Sequence, residues 1–161
     1  MEELSKRRLV VGTGPGWQES QHKKDGWIGL DIIPEFNPDY VRDITKGLPF
    51  DNNSIDEILT EHVLEHIEHK DGDFVMSEIQ RVLKPNGIVT IEVPYWRDDI
   101  AVESAGHIRF FSPNSFMNYY ENPFYKEMGQ CHFSQVVSNQ LIESGRSGET
   151  PARVIRITLK K

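Results

Sequence analysis

The chain has 161 residues, 37% of them hydrophobic, which fits one domain over residues 1–161 with a substantial core and argues against disorder. A formal net charge of −7 argues against a nucleic-acid binder, because gripping a phosphate backbone needs clustered Lys and Arg. No stretch approaches the ~18 apolar residues of a membrane span, residues 1–8 lack the apolar core of a signal peptide, and Cys131 has no partner for a disulfide or zinc ribbon, so a cytoplasmic protein is expected.

Residues 8–12 form an apolar run that stops in glycines at 12, 14 and 16. A buried parallel strand looks like this where it enters a tight turn at the carboxyl edge of a sheet. Trp17 to Lys24 has room for two helical turns at most. Trp27 to Ile32 reads as a second strand ending near Asp31, and Tyr40 to Ile44 as a short third strand carrying Asp43 near its end. Ile55 to Thr60 predicts a fourth strand running into Glu61 and His62. The spacing of Phe74, Val75, Ile79, Val82 and Leu83 predicts a helix over 71–83 with one buried face, stopped by Lys84-Pro85-Asn86-Gly87. Ile88 to Pro94 is a fifth strand. A long connection over 95–111 holds Tyr95, Trp96, His107 and Arg109, and a short helix is expected from Ser112 to Tyr120. Two β-rich runs, 132–143 and 153–160, flank a glycine-containing turn at 144–148 and predict a hairpin.

Strands alternating with helices predict an α/β fold with a mostly parallel sheet, helices on both faces and an antiparallel C-terminal hairpin. In such sheets a ligand sits outside the carboxyl ends of the strands, where the strand order reverses. Gly12 to Gly16, Asp31, Asp43 and Glu61-His62 then share one rim. A carboxylate at Asp31 can accept hydrogen bonds from both hydroxyls of a ribose, the plain alternative being a surface carboxylate capping a loop. Asp43 can accept from an exocyclic amine such as that of adenine, with Ile32, Ile44 and Leu48 as apolar faces for the ring or simply as core. The glycine spacing is G-x-G-x-G, with Trp17 where a dinucleotide fingerprint needs its third glycine. This suits a ligand without a pyrophosphate better than NAD.

The order of motifs resembles the class I S-adenosylmethionine-dependent methyltransferases, most closely the small bacterial "methyltransferase type 11" kind. The resembling stretches are Val10 to Gly16, Gly29 to Ile32, Asp43 to Phe50, Ser54 to Asp56, Glu61 to His66 and Arg81 to Gly87. The resemblance implies a Rossmann-like seven-stranded sheet whose last strand is antiparallel. It implies that Gly12, Thr13 and Gly14 line the methionine and ribose part of S-adenosylmethionine. Asp31 would hold the ribose hydroxyls, with Ile32 against adenine; Asp43 would bind the adenine amine, with Ile44 beside it; Glu61 would face the amino acid portion. The product would be S-adenosylhomocysteine. The helix after the glycine loop is shorter than in fuller members and no lid segment precedes the first strand. The site is therefore expected to be open without substrate, or to be completed by a second copy or a partner protein.

For the reaction, His107 is the candidate catalytic residue, a proton acceptor for an alcohol or phenol, because the loop after strand five faces substrate in this family. Arg109 is a candidate contact for an anionic, small or medium-sized acceptor, and Tyr95 with Trp96 for an aromatic wall. Residues 62–66 also spell H-x-x-E-H, so a zinc hydrolase built on His62, Glu65 and His66 is an alternative. No third ligand is evident in the sequence, and no metal is expected. In that case Val63, Leu64 and Ile67 pack inward while Glu65, His66 and His69 stay partly solvated. A non-catalytic cofactor- or partner-binding module on the same fold is the other alternative.

Overall fold

The computed structural model describes residues 6–128, 131–144 and 152–161. Seven strands, β1 (Arg8–Val11), β2 (Ile28–Asp31), β3 (Tyr40–Val41), β4 (Ile55–Glu61), β5 (Leu83–Pro94), β6 (Gln135–Ser144) and β7 (Ala152–Lys160), form one sheet in the order β3-β2-β1-β4-β5-β7-β6. Strands β1 to β5 are parallel, with Val10 opposite Gly29 on one side and Leu59 on the other. Strand β7 runs antiparallel to both β5 and β6, which is the hairpin expected from the sequence. Its turn, predicted at 144–148, lies almost wholly outside the described residues.

The chain goes outward from β1 to β2 and β3, then returns past β1 to β4. The order therefore reverses between β1 and β4, and their carboxyl ends diverge into a crevice.

Side chains alternate across each strand, so the two faces of the sheet can be read separately. Leu9, Val11, Leu30, Ile58, Val89, Ile91, Ile155 and Ile157 point to one face and are essentially fully buried. Helix α2 (His69–Val82) covers that face with Val75, Met76, Ile79 and Val82. Each such side chain contributes roughly 1.5–3 kcal/mol of burial, so this layer carries most of the stability. The other face is covered more thinly. Trp17 lies flat over β2, where a Cβ on Gly29 would come within 2.4 Å of the indole. The short helix α1 (Gln21–Lys24) follows it, capped by Ser20, whose hydroxyl accepts from the Lys23 N–H at 3.1 Å. A third helix, α3 (Pro123–Glu127), lies in the long connection.

Five local expectations are corrected. The helix begins two residues early and ends at Val82, because Leu83 already has the extended backbone that pairs it with Ile55 of β4. Phe74 faces outward and is about half exposed rather than joining the buried stripe. The third strand stops at Val41, and Asp43 instead caps a 3-10 turn over Ile44–Lys46. Glu65, expected to be solvated, is only 1% exposed. The helix predicted from Ser112 is a run of turns ending in a 3-10 turn at Met117–Tyr119.

Candidate functional site

The loop after β1 is set by backbone conformation. Gly12, Gly14 and Gly16 have φ of +79°, +63° and +84°, a region costly for any residue with a Cβ. Gly12 is needed twice over, since a Cβ there would lie 2.2 Å from Cγ2 of Val63, in the loop after β4. At Gly14 a Cβ would meet nothing within 4 Å, so the loop leaves open space beside its main chain. Buried Asp31, the last residue of β2, ties this loop down. Its Oδ2 accepts from the Gly14 N–H at 3.0 Å and the Thr13 hydroxyl at 3.3 Å, while Oδ1 accepts from the Ile33 N–H at 2.9 Å. A carboxylate offers about four acceptor positions, so capacity remains for a ligand hydroxyl.

Across the crevice, Oδ1 of Asp43 accepts from the Thr45 N–H at 2.8 Å and the Thr45 hydroxyl at 2.7 Å. The Thr45 hydroxyl is the main reason the Asp43 carboxyl titrates below the usual range. Gly12, Gly14, Asp31, Ile32, Asp43, Ile44 and Glu61 all line one cavity of about 790 Å³, within the size range of cofactor sites. Thr13 does not line it and acts on it through Asp31. Leu48 is core beneath the floor. Ile32, 61% exposed, edges the cavity. Sequence reasoning missed Phe36, from the turn after β2, and Lys70 and Asp71, from the start of α2, all of which border it. No local pattern marks Lys70 and Asp71, because they reach the cavity only through the packing of α2, and Phe36 reaches it only through the turn after β2.

The far wall is organised by side chains. His62, just past β4, has a φ of +55°, unusual without glycine, and its N–H donates to the Glu92 carbonyl at 3.0 Å. Its Nδ1 lies 3.2 Å from Oε1 of Glu65 and its Nε2 3.6 Å from Oε1 of Glu92. Both carboxylates are buried, and first Glu65 and then Glu92 push the His62 imidazole up to about 9. His62 is therefore a cation at neutral pH. Glu92 is held below the ordinary carboxylate value by His62 first and then by Arg156, whose Nε and Nη2 donate to Oε2 at 2.9 and 2.6 Å.

His66 also lines the cavity, while His107 does not. The two rings meet edge to face with centroids 4.8 Å apart, so His107 stands behind His66. Arg109 lies against α2, where a Cβ on Gly72 would come 2.6 Å from its Nη1, and its guanidinium sits 5.1 Å over the Phe111 ring. It is packed, not presented to the cavity. Tyr95 and Trp96 are likewise not walls of the cavity; Arg153 covers one ring and Arg97 the other. The H-x-x-E-H segment is not helical. Leu64–His66 is a single 3-10 turn, and His62, outside it, is committed to Glu65 and Glu92.

A family model described as a methyltransferase domain matches residues 9–91, from β1 through most of β5. The chain belongs to the methyltransferase domain family. Among curated proteins, no sequence matches it. Solved structures share the fold across nearly the whole chain. A SAM-dependent methyltransferase from Archaeoglobus fulgidus is 16% identical with a TM-score of 0.72, covering 98% of this chain and 87% of its own. A methyltransferase from Haloferax volcanii, solved with the Trm112 methyltransferase activator, is 16% identical with a TM-score of 0.67, covering 96% and 82%. The [4+2]-cyclase SpnF is 15% identical with a TM-score of 0.68, covering 97% and 75%. Fold and family together make this a class I SAM-dependent methyltransferase, with S-adenosylmethionine as its cofactor. No helix among the described residues of this methyltransferase is long and apolar enough to cross a membrane.

Proposed function

We propose that this methyltransferase holds S-adenosylmethionine in the cavity at the carboxyl ends of β1, β2 and β4 and methylates a small or medium-sized acceptor reached from the His62–His66 side. One observation carries the reading: a left-handed glycine loop, open beside Gly14, is pinned to a buried carboxylate that keeps acceptor capacity toward the same cavity.

When bound, the cofactor supplies a sulfonium-activated methyl group, so the protein's task is largely positioning. Asp31 accepts from the ribose hydroxyls. Ile32 and Ile44 flank the adenine, and Asp43 accepts from its amine. Gly12, Gly14 and, through Asp31, Thr13 shape the passage for the methionine part, whose amino group faces Glu61. An acceptor that must lose a proton needs a neutral base. His62 is excluded, because its two carboxylate neighbours keep it protonated. His66 is favoured over His107, the residue to which the sequence points. The Gly106 carbonyl, 2.8 Å away, can only accept, so in the neutral ring of His66, which lines the cavity, Nδ1 carries the proton and Nε2 is the basic nitrogen.

Calorimetric titration of the purified protein with S-adenosylhomocysteine, with NAD as control, tests the cofactor site. Selective binding near one equivalent is expected, and no binding to folded protein overturns it. Exposure of Ile32 at the adenine end favours a second reading, in which a partner chain completes the site, as an activator accompanies the Haloferax volcanii relative. In that case binding appears only when the partner is present.

A further inference from the structure

We propose that Glu65, His66 and His107 form a binding site for a divalent first-row transition-metal ion of the zinc class. Three ligand atoms, one from each side chain, lie within 4.8 Å of one another. In a tetrahedral site, metal–ligand bonds of roughly 2.0–2.2 Å bring neighbouring ligands to about 3.5 Å. Small side-chain rotations therefore close the set around an ion.

Two buried atoms point to this ligand independently of the clustering. Oε1 of Glu65 is taken by His62, but Oε2 has no partner although the side chain is 1% exposed. Nδ1 of His107 is also buried and without a partner. Native proteins rarely leave such atoms unsatisfied, and an unplaced ion is one of the recognised reasons. The third group is already oriented as metal-bound imidazoles are. His66 gives its Nδ1 proton to the Gly106 carbonyl at 2.8 Å, which fixes the tautomer and leaves Nε2 free to coordinate.

The backbone holds the two contributing segments together. The Glu65 carbonyl accepts from the N–H of Ile108 at 2.9 Å and of Arg109 at 3.1 Å, locking the loop that carries His107 onto the turn that carries Glu65 and His66. The ligands are thus brought together by the fold before any ion arrives. Two imidazoles and one carboxylate suit Zn²⁺, Co²⁺ or Fe²⁺, whereas Mg²⁺ and Ca²⁺ prefer oxygen donors. Three protein ligands leave a coordination position for a further donor. Since His66 also lines the cavity, an ion here borders the region assigned to the acceptor and can take an acceptor oxygen or nitrogen as that donor. This use rests on the cofactor reading and replaces the base role of His66, whose Nε2 lone pair the ion then takes; the metal site itself does not rest on that reading.

The test uses the full-length chain without a histidine tag, stripped with a chelator and titrated with Co²⁺ by visible absorption and with Zn²⁺ by calorimetry. One equivalent of each is expected to bind, with Co²⁺ giving the strong visible bands of a four- or five-coordinate site. Glu65→Gln, His66→Ala and His107→Ala should each weaken binding by at least about tenfold. His69→Ala, an exposed histidine outside the group, should leave binding unchanged. Thermal melting establishes that each variant is folded, and His66→Ala with His107→Ala keeps the test decisive should Glu65→Gln not fold. Absence of stoichiometric binding, or binding that survives removal of both histidines, overturns the site. Titration with S-adenosylhomocysteine separates the two readings: protein that binds it but no metal overturns the metal site alone, and protein that binds metal but not S-adenosylhomocysteine supports the metal site and overturns the cofactor reading.

Discussion

The two walls of the cavity are built on different principles. The Asp31 wall is a backbone structure, with three glycines of positive φ, one buried carboxylate and main-chain N–H groups gathered onto it. The His62 wall is a side-chain structure: an alternation of charges runs Arg156, Glu92, His62, Glu65, in which His62 lines the cavity and the others hold it from behind. A backbone wall has a fixed shape and presents directed acceptors, which suits a ligand that every turnover shares. A charged side-chain wall can change its protonation and its partners, which suits chemistry. A fixed backbone wall and an adjustable charged wall thus face each other across one crevice, at the place where the strand order reverses.

The sharpest way to break the backbone wall is Asp31→Ala. It removes the acceptor from two N–H groups and the Thr13 hydroxyl and also takes away the group assigned to the ribose. Hydrogen bonds to a charged acceptor are worth about 1.5–3 kcal/mol each, so S-adenosylhomocysteine affinity should fall by at least about a hundredfold. Calorimetry checks this. Unchanged affinity would sink the assignment, and Asp31→Asn, which keeps the shape and part of the acceptor capacity, should fall between.

How far each wall was legible in the sequence follows from the same difference. Gly12, Gly14 and Asp31 announce themselves because backbone recognition is local: an apolar run, a glycine turn, an acidic residue closing the next strand. Most of the sheet was legible for the same reason, since each buried strand carries its own apolar run, whereas the count of seven came with the family resemblance and β3 is short and exposed. Asp43 was found at the right rim but given the wrong local role. Its strand stops at Val41, and its carboxylate caps the following turn instead of ending a ladder. The side-chain wall was mostly hidden. Glu92 and Arg156 face one another only because β5 and β7 pair in register. Likewise, nothing near His107 in the chain says that it will stand against His66. The H-x-x-E-H pattern implied a helix, whereas the chain forms one 3-10 turn over Leu64–His66 and leaves His62 outside it, held by Glu65 and Glu92. Trp17, read as a missing third glycine, proved to be the lid over Gly29.

Within the backbone wall, two glycines that look alike in sequence should separate. Gly12→Ala combines an unfavourable φ with a clash at 2.2 Å against Val63, and overpacking of this kind adds to the backbone penalty. A loss of about 2–4 kcal/mol in urea unfolding is expected. Gly14→Ala meets nothing and bears only the cost of φ +63°, about 1–2 kcal/mol. Its larger effect should be on S-adenosylhomocysteine affinity, because the new methyl enters the open space beside the loop. Equal destabilisation by the two would mean that contact between the β1 and β4 loops does not organise this wall.

The side-chain wall gives the smallest effect and the clearest signature. Arg156 is about half exposed while Glu92 is buried, so Arg156→Met lies between the loss of a surface pair and the breaking of a buried one. A cost of about 1–2 kcal/mol at pH 7 is expected, with His62 still compensating Glu92. This cost should depend on pH in one direction. The folded pKa of Glu92 lies below its ordinary value of 4.5, so its charged form contributes stability that is fully present above that value and is lost as pH falls through the lower folded value. The gap between wild type and Arg156→Met in urea unfolding should therefore hold constant from pH 7 down to about pH 5 and close below the carboxylate range. A gap that persists at about pH 3 would mean that Arg156 acts by covering apolar surface with its stem. The two walls would then differ in composition but not in kind.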